Sequence, residues 1–482
     1  MRPKVQWTMW TPCVPPLTAR NAPAVRCLLF GPFITRALVR AGIGLSRMVP
    51  APWERGQERT DHPRMRPSVT ALRRALPPAL RTSLDHAIAV ADELGLGLWA
   101  VGGPVRDLVA GLPLRDLDLA INGPTSRLVA RLAADLDAQA HEEPRFGTAS
   151  LTGTTATGDP WVLDLARLRT ERYVRPGALP TVSLDATIEA DLARRDFSVN
   201  AVALPLSRAA ASGRKSGLVD PYGGLEDPAA RRLRILHPAS FRDDATRLWR
   251  AARFAARLRL RPDRATARAI AEDVHYLETI SPRRLWRELA LVAAEPRAAA
   301  AVSLLDRWGI LAATHPALTL TEQSRAALRR LRGATTPELL LAVLLATREP
   351  QERSAALARL GAPRTATRSV EDAAKLLALS ASSDPDTLQQ ASPTVPAARD
   401  AVRLLDPSRR IQLAALRRWE LTKSPLSAHE LRTLGIEAGT AMGEALAELR
   451  RARYLGTLNG APAARRLVRT WVANPAREDP HT

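Results

Sequence analysis

A chain of 482 residues with 46% hydrophobic content has room for roughly three domains, each with its own core. Its 70 basic and 49 acidic residues leave a net charge of +21. That charge suits a polyanion such as nucleic acid, or else reflects an Arg bias spread over the whole surface. Two cysteines, Cys13 and Cys27, rule out a disulfide framework or a Cys-based zinc site beyond Met48, and no apolar run is long enough to cross a bilayer.

Residues 1–64 differ from the rest. They are rich in Pro and Trp, lack periodicity and carry ten basic against three acidic residues, so about +14 of the +21 belongs to the remainder. They are expected to be an N-terminal extension, either disordered or an artefact of the start site. The Arg-rich, acid-poor composition fits a targeting peptide, and a true start at Met48 or Met65 accounts for the same features.

From Ser68 the pattern "SVTALRRALPPALRTSLDHAIAVADELG" predicts helix, broken at Pro77-Pro78 and stopped by Gly95. "LGLWAV" predicts a buried strand, "PVRDLVAG" a short helix opened by Pro, and "RDLDLAI" a second strand. "PTSRLVARLAADLDA" is amphipathic helix, and "GTASLTG" with "WVLDLARL" an antiparallel pair. "TERYVRPGALPTVSL" has loop composition; "DATIEADLARR" returns to helix, "DFSVNAVALPL" to strand or strand-turn, and "SRAAASGRKSG" is a surface loop. From about Pro238 one helix follows another, with "SASSDPDTLQQASPTVP" as the best linker. The fold class is therefore α+β first, all-α second.

Asp116 and Asp118 stand two apart on a predicted strand, so both carboxylates project from one face. Converging anionic oxygens on a rigid element suit a hard divalent cation that keeps positions open for phosphate oxygens. Alone, the pair is weak evidence: two solvated carboxylates or a sugar-nucleotide glycosyltransferase site would look the same. Asp164, in a second strand-like run, would complete a two-metal site for in-line phosphoryl transfer and is placed to accept a proton. Gly102-Gly103 ends the first strand in a turn without Cβ atoms, where backbone N–H groups can approach phosphate oxygens, with Arg106 one helical turn on.

A further cluster lies in "FRDDATRLWRAARFAARL". Asp244, Arg247, Arg250 and Arg253 recur every three residues, which on one helix makes a slowly drifting polar stripe. The stripe is either a solvated face or a nucleotide reader. A carboxylate that accepts from an exocyclic amine, beside a guanidinium that donates to the ring acceptor, fits cytosine and adenine and disfavours uracil and guanine.

Taken in order, "VGGPVRD", "RDLDLAI", "LDLARLRTERY", "EADLARRDFSVNAVAL", "LVDPYGGLEDPAARRLRIL" and "FRDDATRLWRAARFAARL" resemble the class II tRNA nucleotidyltransferase and bacterial poly(A) polymerase family, as does "ISPRRLWREL" farther on. The resemblance spans Leu98 to Leu311. It implies a mostly antiparallel nucleotidyltransferase head over residues 65–237, a helical neck over 238–311 and an RNA-binding body and tail over 312–482. It further implies that Asp116 and Asp118 hold Mg²⁺ with Asp164 as third carboxylate, and that Gly102, Gly103 and Arg106 face the triphosphate. Arg195 and Asp196 would contact the nucleotide's ribose and order the site, and Asp244, Arg247, Arg250 and Arg253 would form the recognition helix.

The implied partners are CTP, ATP and the tRNA 3′ end, with no membrane, no stable protein partner and a cytoplasmic location. Two departures stand out: Asp243 where the family has Glu, and Ser198 where it has Thr. A poly(A) polymerase and a catalytically silent RNA-binding protein are the alternatives on the same fold.

Overall fold

The computed structural model describes residues 67–114, 116–155, 160–211, 217–379, 384–391 and 395–473. Residues 1–64, Arg115 and the tip of the "SRAAASGRKSG" segment lie outside the described residues.

Two helices open the fold, α1 (Val69–Ala75) and α2 (Pro78–Glu93). Ser68 caps the first through its side chain, and the second starts on Pro78 where a missing N–H costs nothing. Then come β1 (Leu98–Val101), α3 (Gly103–Val109), β2 (Asp118–Ile121), α4 (Thr125–Asp135), β3 (Gln139–Glu143), β4 (Thr148–Thr154) and β5 (Pro160–Arg167). A ribbon of β6 (Arg169–Arg172) and β7 (Thr181–Leu184) leads to α5 (Ile188–Ala193) and β8 (Ala203–Pro205).

Six strands form one sheet in the order β3-β4-β5-β2-β1-β8. Every neighbouring pair is antiparallel except β2 with β5. That one parallel pair sets Asp118 directly opposite Asp164, with Leu119 opposite Leu165. Because successive side chains alternate faces, Leu117, Leu119, Leu163 and Leu165 enter a core under α1, α2 and α4. The acidic positions fall on the other face. There Trp99, Val101, Ala120, Ile188 and Leu192 make a second, smaller core under α5.

Past the head come α6 (Ser240–Asp243), α7 (Thr246–Leu258), α8 (Arg264–Asp273) and α9 (Pro282–Ala293), and the described chain stays helical to Ala473. One apolar cluster runs from Phe197 through α7 into the body, and Leu426 to Val468 form a small cluster of their own. The α+β and then all-α order is thus as the sequence predicts.

Three expectations need correction. "TERYVRPGALPTVSL" is not loop throughout, since its two ends pair as β6 and β7. The polar run of Thr170, Glu171 and Arg172 gives no apolar signal; Glu171 is held there by Arg169 and Arg194. The linker candidate holds a helix, Pro385–Ala391, whose Leu388 is buried. In the surface-loop segment, Arg208–Ala211 is one helical turn. The edge strand β3, "QAHEE", went unread for the same reason as β6: it carries no alternation of apolar residues.

Candidate active site

β2 begins at Asp118, with Asp116 two residues before it. Backbone hydrogen bonding already joins the two segments there, Asp164 N–H donating to the Leu117 carbonyl at 3.2 Å. Asp116, Asp118 and Asp164 therefore belong to one patch, and they feel one another. Burial pushes the Asp118 pKa well up, and the negative charges of Asp116 and Asp164 add to it against Arg195 and Arg106. Burial also raises Asp164, to about 6, against a hydrogen bond from Ser150 and with help from Asp116. Asp116 is raised by burial and by Asp107, and eased by Arg257 and Arg106.

Three repelling, desolvated carboxylates on one sheet face are the donor set a hard cation would relieve, so these residues fit a divalent metal. Among the described residues no three His, Cys, Asp or Glu side chains enclose a cation on their own. A site of this kind takes its remaining ligands from substrate oxygens.

Gly102 turns the chain from β1 into α3 at φ 68° and ψ −114°, a conformation costly to any residue with a Cβ. A Cβ there would also lie 2.7 Å from Arg195 Nη1. Gly103 is the first residue of α3. Arg106 is buried; its Nε donates to Asp107 Oδ1 at 2.8 Å and its Nη1 to Asn200 Oδ1 at 2.7 Å. Its N–H edge is thus engaged within the protein, which makes it an anchor of the turn.

Arg195 donates to Asp191 at 3.0 Å and to the Asn200 carbonyl at 3.3 Å, while its buried Nε has no partner. Asp196 accepts from Phe197 N–H, from Asn200 Nδ2 at 2.8 Å and from Arg250 Nε at 2.7 Å. Burial alone would raise its pKa, but Arg250, Asn200 and Arg247 outweigh that and hold it at about 2.

The recognition cluster differs from the single helix predicted. Asp244 lies between α6 and α7 in extended backbone, φ −143° and ψ 98°. Its Oδ1 accepts from Thr246 N–H and Oγ1 and from Arg284 Nη2 at 2.6 Å. That carboxylate satisfies a free N–H at the start of α7, which is why the helix breaks there. Arg247 is buried, donating to the Arg194 carbonyl at 2.7 Å and to Ser240 Oγ at 2.8 Å.

Three-residue steps rotate each successive side chain by about −60° around a helix. Arg253 has by then turned away from Arg247 and into the neck, where Glu295 at 3.0 Å and Glu288 at 3.5 Å neutralise it. Arg253 is therefore paired within the neck, whereas the resemblance places it on the recognition helix among the nucleotide-binding residues. Asp243 sits 3.7 Å from His237 Nε2, and Ser198 donates to the buried Asp227.

Sequence reasoning missed the residues that hold this site: Asp107, Ser150, Asp191, Asn200, Glu288 and Glu295. Each lies within a quoted motif or, for Glu295, just past the end of α9, and its polar type at a position that must be buried was the available signal.

Comparison with known proteins bears on the same elements. Residues 98–234 match the Poly A polymerase head domain, and residues 259–332 match the probable RNA and SrmB-binding site of polymerase A. A CC-adding tRNA nucleotidyltransferase of Deinococcus radiodurans is 36% identical over 78% of this chain and 90% of its own length. The chain belongs to the tRNA nucleotidyltransferase family. An A-adding tRNA nucleotidyltransferase of Halalkalibacterium halodurans is 39% identical, over 45% of this chain and half of that relative's length. The fold resembles the apo form of a CCA-adding enzyme, with a TM-score of 0.67 at 23% identity, covering 83% of this chain and 97% of that one. Nucleotidyltransferases of this family generally use divalent metals.

In this nucleotidyltransferase the Asp196–Arg250 pair ties the head to α7, and it is testable by pH. A carboxyl near 2 when folded and near 3.8 when unfolded adds stability at neutral pH that is lost as pH falls through 2. Asp196→Asn is expected to cost about 2 kcal/mol at pH 7, with the gap to the parent protein closing toward pH 2 in chemical denaturation.

Proposed function

We propose that the chain transfers nucleoside monophosphates from CTP and/or ATP to the 3′ end of tRNA, in CCA addition or repair. The observation that carries this reading is the parallel pairing of β2 and β5, which sets Asp118 beside Asp164. Mg²⁺ held by Asp116 and Asp118 would neutralise the triphosphate and steady the attacking and leaving oxygens. The chain's own groups do the rest. The glycine turn offers the Gly103 N–H to the phosphates, since Gly102 N–H already donates to the Val202 carbonyl at 3.2 Å, and Arg195, with an unpaired Nε, borders the same carboxylates.

Asp164, raised to about 6 by burial and accepting a hydrogen bond from Ser150 Oγ at 2.6 Å, accepts the proton of the tRNA 3′-hydroxyl. That oxygen bonds to the α-phosphorus as pyrophosphate leaves. Asp244 and Arg247 read the base edge, for which Arg247 trades its carbonyl contact on Arg194 for the nucleotide. The helical half, with its matched RNA-binding segment, takes the tRNA backbone. No helix among the described residues is long and apolar enough to cross a membrane, and a cytoplasmic location goes with tRNA processing.

The relative covered nearly end to end adds CC, which favours CTP as the first nucleotide taken. The test incubates the protein with Mg²⁺, labelled CTP or ATP, and tRNA ending at the discriminator base, after CC or after CCA. CTP incorporation that stops after CC, or after CCA with ATP, is expected. Long A-tails would replace the reading with a poly(A) polymerase, and no incorporation by folded protein with a silent RNA-binding module. In the same assay Arg247→Ala should weaken discrimination of CTP and ATP against UTP and GTP by about 10- to 100-fold. Unchanged nucleotide choice would contradict the fork.

A further inference from the structure

Phe254, on α7, is 1% exposed, and three arginines surround its ring. The guanidinium carbons of Arg106, Arg250 and Arg253 lie 5.0, 5.2 and 5.3 Å from its centroid. Phe197 meets the same ring edge-on at 5.9 Å and 79°. Arg106 comes from α3 in the head; Arg250 and Arg253 come from α7 itself. Three cations, Arg106 and Arg253 buried and Arg250 half-buried, repel one another. Asp107, Asp196, Glu288 and Glu295 balance them by taking up their N–H edges. An engaged N–H edge leaves the flat guanidinium face free to meet a π cloud.

The contacts form a closed circuit. Arg106 donates to Asn200 at 2.7 Å, Asn200 donates to Asp196 at 2.8 Å, and Asp196 accepts from Arg250 at 2.7 Å. Phe254 closes it, touching Arg106 and Arg250 at once. One arc is hydrogen bonds and the other is a single aromatic ring. We propose that Phe254 is a positioning residue: its ring fixes the spacing between Arg106 of the head and Arg250 of the recognition helix, and so the register of that helix over the carboxylate patch. The inference rests on the nucleotidyl-transfer reading.

Phe254 is replaced in the full-length chain, by suppression of a stop codon, with mono-, tri- and pentafluorophenylalanine. Fluorine drains the ring face of electron density and nearly keeps its shape. The kcat for CTP incorporation should fall with each step, roughly tenfold at pentafluorophenylalanine, while KM for tRNA stays put. Amide hydrogens of Gly103–Val109 and Thr246–Leu258 should exchange faster in the same order. Phe254→Leu, which fills the site without a π face, should lose at least as much. Values of kcat and exchange that ignore the fluorine count, or a Leu variant with wild-type kcat, would overturn the proposal and leave the ring a filler. If the parent protein incorporates no nucleotide, the transfer reading fails by itself, and the exchange series still decides the role of the ring.

Discussion

Asp116→Ala or Asp118→Ala is expected to lower nucleotide incorporation by at least about a thousandfold, because each removes an anionic ligand from a site whose cations would contribute several kcal/mol to the transition state. Binding of tRNA, measured by filter retention, should remain close to that of the parent, since the matched RNA-binding segment at residues 259–332 lies outside the sheet. Neutralising Asp118 also carries a stability signature of opposite sign. Asp118 is half-buried beside two like charges, and desolvation with those charges holds its pKa well above the usual carboxylate range. A carboxyl raised on folding destabilises the native state at pH above its folded pKa, and the penalty fades as pH falls toward the unfolded value. With chelator present, Asp118→Asn should therefore melt at a higher temperature than the parent at pH 8, by a margin that shrinks in acid. A lower melting temperature at pH 8 would mean that the carboxylate is compensated by partners within the fold.

Arg253→Ala is expected to cost about 3–5 kcal/mol of stability, the usual result of stripping one partner from a buried ion pair. Its guanidinium is 2% exposed and lies between Glu288 and Glu295, both buried, so its removal leaves two carboxylates in the neck with less countercharge. Urea denaturation reads the loss directly. At a temperature where the variant is folded, its preference for CTP and ATP over UTP and GTP should match the parent's, in contrast to Arg247→Ala. A near-wild-type midpoint with altered nucleotide choice would return Arg253 to the recognition edge.

The difference between those two arginines marks the limit of what the sequence makes legible. Spacing of three residues states that Arg247, Arg250 and Arg253 are neighbours along a helix, but which of them faces a ligand depends on partners far along the chain. Glu288 and Glu295 lie 35 and 42 residues away from Arg253. The Asp244 break is similar, since a carboxylate that satisfies Thr246 N–H looks, in the sequence, like one more helical residue. By contrast the alternation of Leu117, Asp118 and Leu119 already separates an acidic from an apolar face. Only the parallel pairing with β5 shows that Asp164 is the neighbour on that acidic face. Strands β3 and β6 were silent because their side chains serve charged partners and solvent, so no period of apolar residues announced them.

The central claim is that the patch of Asp116, Asp118 and Asp164 gathers divalent cations beneath a nucleoside triphosphate. Anomalous diffraction at the manganese edge, from crystals grown with Mn²⁺ and a non-hydrolysable CTP analogue, tests it most directly. The account predicts peaks within about 2.2 Å of carboxylate oxygens of Asp116 and Asp118, shared with phosphate oxygens of the analogue. Ordered nucleotide with no metal at these two residues, or metal held elsewhere in the head, would contradict it.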